Sequence, residues 1–496
     1  MKALRIIAAY HSGVLRMFIE PVKRYSIRET CLLVMVGLAI DLVMLPFTLP
    51  LLGNGLQDSS FFLICLLVPV MWLIGFQRPA FSLICLVWLT NEPRIKDAAM
   101  FGQVFGTEVG YVHLLCLMVL IQSFFWRFCR RIPNIYASSI ILIFLGGSFG
   151  VFFAGDPKVA IEALTLRMLI PTIISFNCIR AFRREDLEQL WLCLVIMMAV
   201  VATYNVSRSL YAFGFEHVIF DRMWLGRNTL MELGVVAFVP SVILGLNHSK
   251  MFYRLLAQFS AIMIVILIWL QMNRIGIVLS TCFILIVMGI RFRLLFIRCI
   301  LVLGLGALVV WGWLVQWLKT LDLPTALERF GDFFSSRMCD DGRWEIWSVA
   351  IDLINKNIIF GIGMNNFYLK TFYFHAHQIF LSMWLDTGFV GLIGFSMLLV
   401  YLLVALHFCV SRAQERIIKE KCQIAQWTVI LMTLFLQFDG VLYSHGSDRV
   451  GGLSNSAEMG GSYVFCLVMV GAFVSLSLYR KNDEVFLKKR QQLLSS

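Results

Sequence analysis

Between Gln316 and Asp386 a polar island interrupts a chain that otherwise reads as a series of apolar segments, and the island carries residue types suited to holding phosphate and moving protons. Arg343 and Trp347 stand four apart. Gly361-Ile362-Gly363 follows, then His375 and His377, then Gln378, nine residues, and Gly388-Phe389-Val390-Gly391. A guanidinium presents a planar fork of donors that matches two phosphate oxygens and keeps its charge when partly buried. An imidazole titrates near neutrality and can take the proton of an attacking hydroxyl. His377 stands where the island meets the next apolar segment, a position reachable from water yet partly desolvated. His375 reads as its neighbour, not as the base. Gly361 and Gly363 permit an unusual turn, and Gly388 and Gly391 let their helix approach another closely.

The elements that must position these residues are membrane-spanning. The 496 residues are 59% hydrophobic and 15% charged, with a mean hydropathy of +0.82, against about 25% charged in soluble domains. That composition excludes a soluble enzyme. The net charge of +12 sits mostly in short connections, where it orients helices, and does not call for nucleic acid. The 13 cysteines are scattered singly and read as small hydrophobes, not as a disulfide framework or a metal site. Residues 1–30 carry Lys2, Arg5, Arg16, Lys23, Arg24 and Arg28 ahead of the first apolar run at Cys31. They are expected to form an uncleaved cytoplasmic segment that lies on an anionic membrane surface or serves as a topology signal.

A spanning helix needs about 20 mostly apolar residues. Candidate spans are 31–51, 60–76, 79–90, 109–126, 135–154, 159–179, 187–204, 229–246, 255–271, 275–290, 295–316, 387–408, 423–440 and 461–479. The shortest, 79–90, also fits a re-entrant segment. With a cytoplasmic N-terminus every second connection is basic, among them those with Arg127, Arg130 and Arg131, with Lys250 and Arg254, and with Arg412, Arg416, Lys419 and Lys421. The fold class expected is all-α: a polytopic integral membrane protein with about 12–14 transmembrane helices and one large periplasmic loop between the late helices. A single membrane domain, 31–479, would include that loop, 316–386, and a cytoplasmic tail would occupy 480–496.

On this topology Arg208, Arg222, Arg227, Arg274, Arg337 and Arg343 lie on the side where positive charge is disfavoured. Arg274 sits in the tight turn Gln271-Met272-Asn273-Arg274 between two long apolar runs. It would hold phosphate there or snorkel to lipid headgroups. Arg343 falls on a helix expected over roughly 342–356, capped by Asp340 or Asp341, with Trp344, Trp347, Ile351 and Ile354 as an apolar face. A bond from Arg343 to Asp340 is the purely structural alternative. Arg167 lies inside a span, costly to bury alone, and an intramembrane acid such as Asp41 would pair with it. Gly361-Ile362-Gly363 lacks the Lys-Ser/Thr of a P-loop and the strand–turn–helix setting of a dinucleotide fold. No metal or other cofactor is called for.

At these residues the chain resembles the O-antigen ligase and O-antigen polymerase superfamily of bacterial envelope enzymes. The similarity rests on Arg343-Trp344-Glu345-Ile346-Trp347, on Gly361-Ile362-Gly363, and on His377-Gln378 with Gly388 and Gly391 at the family spacing; Asn273-Arg274 resembles the family's earlier arginine. It covers about residues 270–400. Gln378 stands where Asn is commoner. The resemblance implies inverting, metal-independent glycosyl transfer on the outer face of the bacterial inner membrane, from a glycan on undecaprenyl pyrophosphate to an acceptor glycan or glycolipid. His377 would be the base, with Arg274 and Arg343 on the pyrophosphate. Arg337, Arg227, Trp347, Gln378 and His375 would contact substrate. Membrane lipids and other envelope-polysaccharide assembly proteins are the further partners implied. A flippase for lipid-linked oligosaccharide is the competing class, which a dozen spans with internal charges would also suit. No half-to-half sequence similarity supports it. A non-catalytic assembly subunit would leave the clustered arginines and histidine unexplained.

Overall fold

The computed structural model describes residues 75, 78–90, 100–104, 107–126, 128, 131–213, 227–270, 274–291, 343–371, 376, 378–437 and 460–495. In chain order these form α1 (Pro79–Thr90), a hairpin of β1 (Met100–Val104) and β2 (Thr107–Gly110), α2 (Tyr111–Phe125) and α3 (Asn134–Phe152). Then come α4 (Pro157–Ala181), α5 (Arg184–Phe213), α6 (Arg227–Asn247), α7 (Met251–Leu270) and α8 (Arg274–Arg291). The late elements are α9 (Arg343–Lys356), α10 (Phe367–Thr371), α11 (Ile379–Arg412), α12 (Arg416–Leu436) and α13 (Gly460–Ser495).

The architecture is that of an all-α, multi-pass membrane protein. Among the described residues six helices are long and apolar enough to cross a bilayer: α3, α4, α11 and the apolar parts of α5, α7 and α13. Shorter apolar stretches lie in α1, α2, α6 and α8. The spans read at 31–51 and 295–316, and most of 60–76, lie outside the described residues. Two details differ from the sequence reading, and a third, the short span at 79–90, stands as read. The hairpin occupies part of the expected loop 91–108, an antiparallel pair in an otherwise helical body. α5 continues to Phe213, past the expected end at 204. α1 has 12 residues, about 18 Å of helix against a hydrocarbon core of about 30 Å.

Lipid and protein faces separate along single helices. On α7, Phe252, Leu255, Phe259, Ile262 and Ile266 are exposed, while Ala257, Ile264, Leu267 and Ile268 are buried. The first set recurs every three to four residues and forms one stripe. The stretch Tyr463–Val474 of α13 is buried almost throughout and forms a central post, packed by α1, α4, α5, α6, α11 and α12. In hydrocarbon the drive for such packing is close contact and not apolar burial. The eight described cysteines are unbridged, most of them buried, as expected of small apolar fillers.

The most extensive helix pairing among the described residues is α3 with α11. Its contact is backbone against backbone. A Cβ on Gly394 would come within 2.6 Å of the Ser139 carbonyl oxygen, and one on Gly146 would overlap the Thr387 carbonyl and lie 2.8 Å from the Gly391 nitrogen. α11 kinks at Gly388, whose φ of 66° and ψ of −172° belong to a region L side chains rarely enter. The kink receives the turn after α9. Phe389 N donates to Ile358 O at 3.0 Å, and Ile362 N donates to Leu385 O at 2.6 Å. A Cβ on Gly388 would fall on the Ile359 carbonyl. Gly388→Ala is therefore expected to cost at least about 1–2 kcal/mol from φ alone, plus the clash. Thermal unfolding of the detergent-solubilised protein checks this, and an unchanged transition would refute the packed kink.

Candidate active site

Four of the sequence features converge on α9 and the kink. The apolar residues of α9 divide into two stripes. Ala350 and Ile354 face inward with half-buried Trp347, whereas Trp344 and Ile351 are exposed. The expected single face is thus split, and only the first stripe packs on the protein. Ala350 and Ile354 join Ile362, Phe367, Ala376 and Leu385 in a small hydrophobic core of their own. This core fastens the Gly361–Gly363 turn, α10 and the start of α11 to α9, apart from the main core. Asp340 and Asp341, the expected caps, lie outside the described residues.

Trp347 has a specific task in this cluster. Its Nε1 donates to the carbonyl oxygen of Ala376 at 2.9 Å. Ala376 is the residue between His375 and His377 in the sequence. Arg343 stands one helical turn before Trp347 and on the same side of α9. The indole thus ties the arginine helix to the histidine segment by its backbone.

Gln378 has a structural use. It is the N-cap of α11: its side-chain oxygen accepts from Leu381 N, while Nε2 donates to Gln437 Oε1 at 2.8 Å at the end of α12. An amide can do both at once, and so closes one helix start against another helix end.

The described backbone begins α6 at Arg227, α8 at Arg274 and α9 at Arg343. The placement of Arg227 follows from helix directions. The C-terminal end of α6 and the first turns of α12 line a common cavity, so these two helices run antiparallel. The short connection at 248–250 reverses the chain between α6 and α7, and α8 packs on α6, α7 and α12. Phe283 of α8 and Trp427 of α12 meet edge to face, centroids 5.5 Å apart. Some nine residues back from Phe283 lies Arg274; some ten onward from Trp427 lies Gln437, each about 14 Å away. The start of α6 at Arg227, Gln437 and Gln378 therefore share one end of the bundle, and Trp347 with Ala376 joins them there. Arg337, His375 and His377 lie outside the described residues.

Sequence reasoning missed the layer beneath. Asp386, on α11 two residues before the kink, accepts from Asn365 N at 3.2 Å, and Asn365 takes a positive φ of 62° to offer that N–H. Asn366 Oδ1 accepts from Asp156 N at 2.7 Å, joining the turn to the α3–α4 corner. Arg167 is 3% exposed and interacts electrostatically with Asp386. Asp41, the partner weighed from sequence, lies outside the described residues. Arg167 sits in a π-helical segment, Leu164–Leu169, inside α4; such one-turn bulges frequently mark functional sites. Among the described residues no three His, Cys, Asp or Glu side chains gather as metal ligands.

Arg167→Met should remove a positive charge that interacts with the buried Asp386 and lower stability. Combining it with Asp386→Asn should cost less than the two single losses added together. Unfolding measurements on the three variants check this, and strict additivity would dissolve the pair.

A family model described as O-antigen ligase matches residues 258–396, from α7 through the α11 kink. No curated protein matches the chain.

Proposed function

We propose, from the match of residues 258–396 to a family model described as O-antigen ligase and from the apolar helices of a multi-pass membrane protein, a polyprenyl-diphosphate-dependent glycosyl transfer carried out at the end of the bundle marked by Trp347 and Gln378. The donor is a glycan on undecaprenyl pyrophosphate. The acceptor is a sugar hydroxyl, on a second lipid-linked glycan in a polymerase or on a glycolipid in a ligase. On the topology read from the basic loops, that end faces the periplasm and the protein resides in the inner membrane.

The observation that carries this reading is the hydrogen bond from Trp347 to Ala376. It ties the helix that starts at Arg343 to the backbone of Ala376, which His375 and His377 flank in the sequence. In the reaction, the acceptor oxygen attacks the anomeric carbon from the face opposite the leaving group. The bond from that carbon to the diphosphate oxygen breaks, its electron pair leaves with the diphosphate, and the configuration inverts. His377 accepts the acceptor's hydroxyl proton as the new bond forms. Negative charge grows on the departing diphosphate. Arg274 and Arg343 stand at helix starts, where unsatisfied backbone N–H groups add to the guanidinium's attraction for oxyanions. Donors placed in advance lower the barrier without reorganising. Arg227, Arg337, His375 and Gln378 border the same site in this reading, Gln378 by holding the start of α11. The spans accommodate the polyprenyl chain.

Purified protein given undecaprenyl-diphosphate oligosaccharide should form new glycosidic bonds. His377→Ala should abolish them with the protein still inserted, and Arg274→Lys should lower them by at least about tenfold, since a lysine lacks the fork. Near-normal product from His377→Ala would remove it as base. Translocation of the lipid-linked glycan without bond formation would replace the enzyme with a flippase.

A further inference from the structure

The opposite end of the bundle holds a second feature, which glycosyl transfer does not use. There α5, α6, α7 and α12 enclose a cavity of about 330 Å³, lined among others by Glu188, Trp191, His248, Arg254, Arg416 and Lys421. That is the lower range of ligand pockets, about 300–1,000 Å³. α12 has 21 residues, so the cavity lies about 30 Å from Gln378, too far to share its chemistry.

We infer that this cavity binds a phosphate group, and that in the membrane the group belongs to a phospholipid headgroup. Three cationic side chains reach it with donors to spare. Lys421 is 5% exposed and gives two long hydrogen bonds, to Arg184 O at 3.2 Å and to Glu188 Oε2 at 3.3 Å. An ammonium has three N–H groups, so one stays available. Burial works against its charge and lowers its pKa, opposed by Glu188; an anion in the cavity would favour the charged form further. Arg254 closes the end of α6 with Nε and Nη2, both on His248 O, at 3.1 and 2.9 Å. The other edge of its fork is unused by these bonds. Arg416 is exposed at the first turn of α12, and that helix has no side-chain cap. Glu415, which stands at the cap position, instead pairs with Arg184. The helix start therefore adds backbone N–H groups and its dipole.

His248 adds a directed donor. Its Nδ1 accepts from Lys250 N at 3.1 Å, which leaves the proton of the neutral ring on Nε2. Glu188 and Glu420 offset part of the charge, so the site suits one phosphate and not a polyanion. The setting is a membrane boundary. Met251 and Phe252, 70% and 71% exposed, stand next to the His248–Lys250 turn and offer apolar surface to acyl chains. Basic pockets between helices at such boundaries suit anionic headgroups. A symmetric bilayer suffices to test this, whichever face is cytoplasmic.

Native mass spectrometry of the detergent-solubilised full chain, offered phosphatidylglycerol or phosphate-free diacylglycerol, tests the site. Wild-type protein should retain phosphatidylglycerol and not diacylglycerol. Arg416→Gln, an exposed change that leaves the fold intact, should lower retention about tenfold. Lys421→Gln should do the same, with Lys421→Arg restoring it. Inorganic phosphate, titrated against thermal unfolding in lipid-free detergent, separates the sources. An Arg416-dependent shift with no lipid retention would assign the cavity to a soluble phosphate. Binding of both probes unaltered by Arg416→Gln, or binding of neither, would overturn the proposal. None of these readouts requires glycan transfer, so their failure leaves the catalytic reading untouched.

Discussion

The candidate site depends on one close approach: the backbone of the turn 358–363 lying in the kink of α11 at Gly388. A side chain at Gly388 would occupy the place of the Ile359 carbonyl, and one at Gly361 that of the Leu385 carbonyl. The contact is pinned by Phe389 N to Ile358 O and by Ile362 N to Leu385 O. Trp384 adds a third tie, Nε1 to Ile358 O at 2.9 Å. From the other side, Gly146 and Gly150 of α3 bring a third backbone against the same kink. In a bilayer, where apolar burial gives little drive between helices, such contact is a main source of cohesion. The resulting junction is rigid, and a hinge here would require several backbone hydrogen bonds to break together.

This rigidity bears on chemistry through short links. Leu385 and Ile362 belong both to the junction and to the small core that holds Ala376. Trp347 reaches Ala376 from α9, and Gln378 ties the start of α11 to Gln437 on α12. Arg274 begins a helix that packs on α12. In the proposed reaction, arginines and base therefore take their positions from elements that cannot shift independently. That is the condition for electrostatic help that needs no rearrangement. Asp386 lies two residues before the kink, where its carboxyl accepts from Asn365 N and feels the charge of the buried Arg167.

Much of this was legible in the sequence where the signal is local. Apolar length located the helices, including α1 at 79–90 and α9 near 342–356. The glycines at 361, 363, 388 and 391 announced a turn and a close approach, and the spacing around His377 pointed to the family that residues 258–396 match. What escaped were pairings between distant segments. Nothing in the vicinity of Gln378 reveals that its amide caps α11 and reaches Gln437, 59 residues away. Arg167 was recognisably in need of an acid, but spacing alone does not bring Asp386, whose charge interacts with it, to its vicinity. The glycines of α3 that approach the kink, Gly146 and Gly150, carry no local signal of the distant segment they meet. The apolar residues of α9 looked like one face because Trp344, Trp347, Ile351 and Ile354 follow helical spacing; Trp344 and Ile351 nevertheless stay exposed, since the core reaches only the adjoining stripe.

The tether between Trp347 and Ala376 is the point at which structure and proposed chemistry meet most directly. Trp347→Phe keeps a ring and deletes one N–H, at a cost of about 1 kcal/mol in stability. Turnover of undecaprenyl-diphosphate oligosaccharide by the purified variant, compared with wild type alongside thermal unfolding, isolates its effect. The account predicts a fall in kcat of about tenfold or more with the unfolding temperature lowered by only a few degrees. An unaltered kcat at that stability would contradict it, because the histidine segment would then hold its place without the arginine helix.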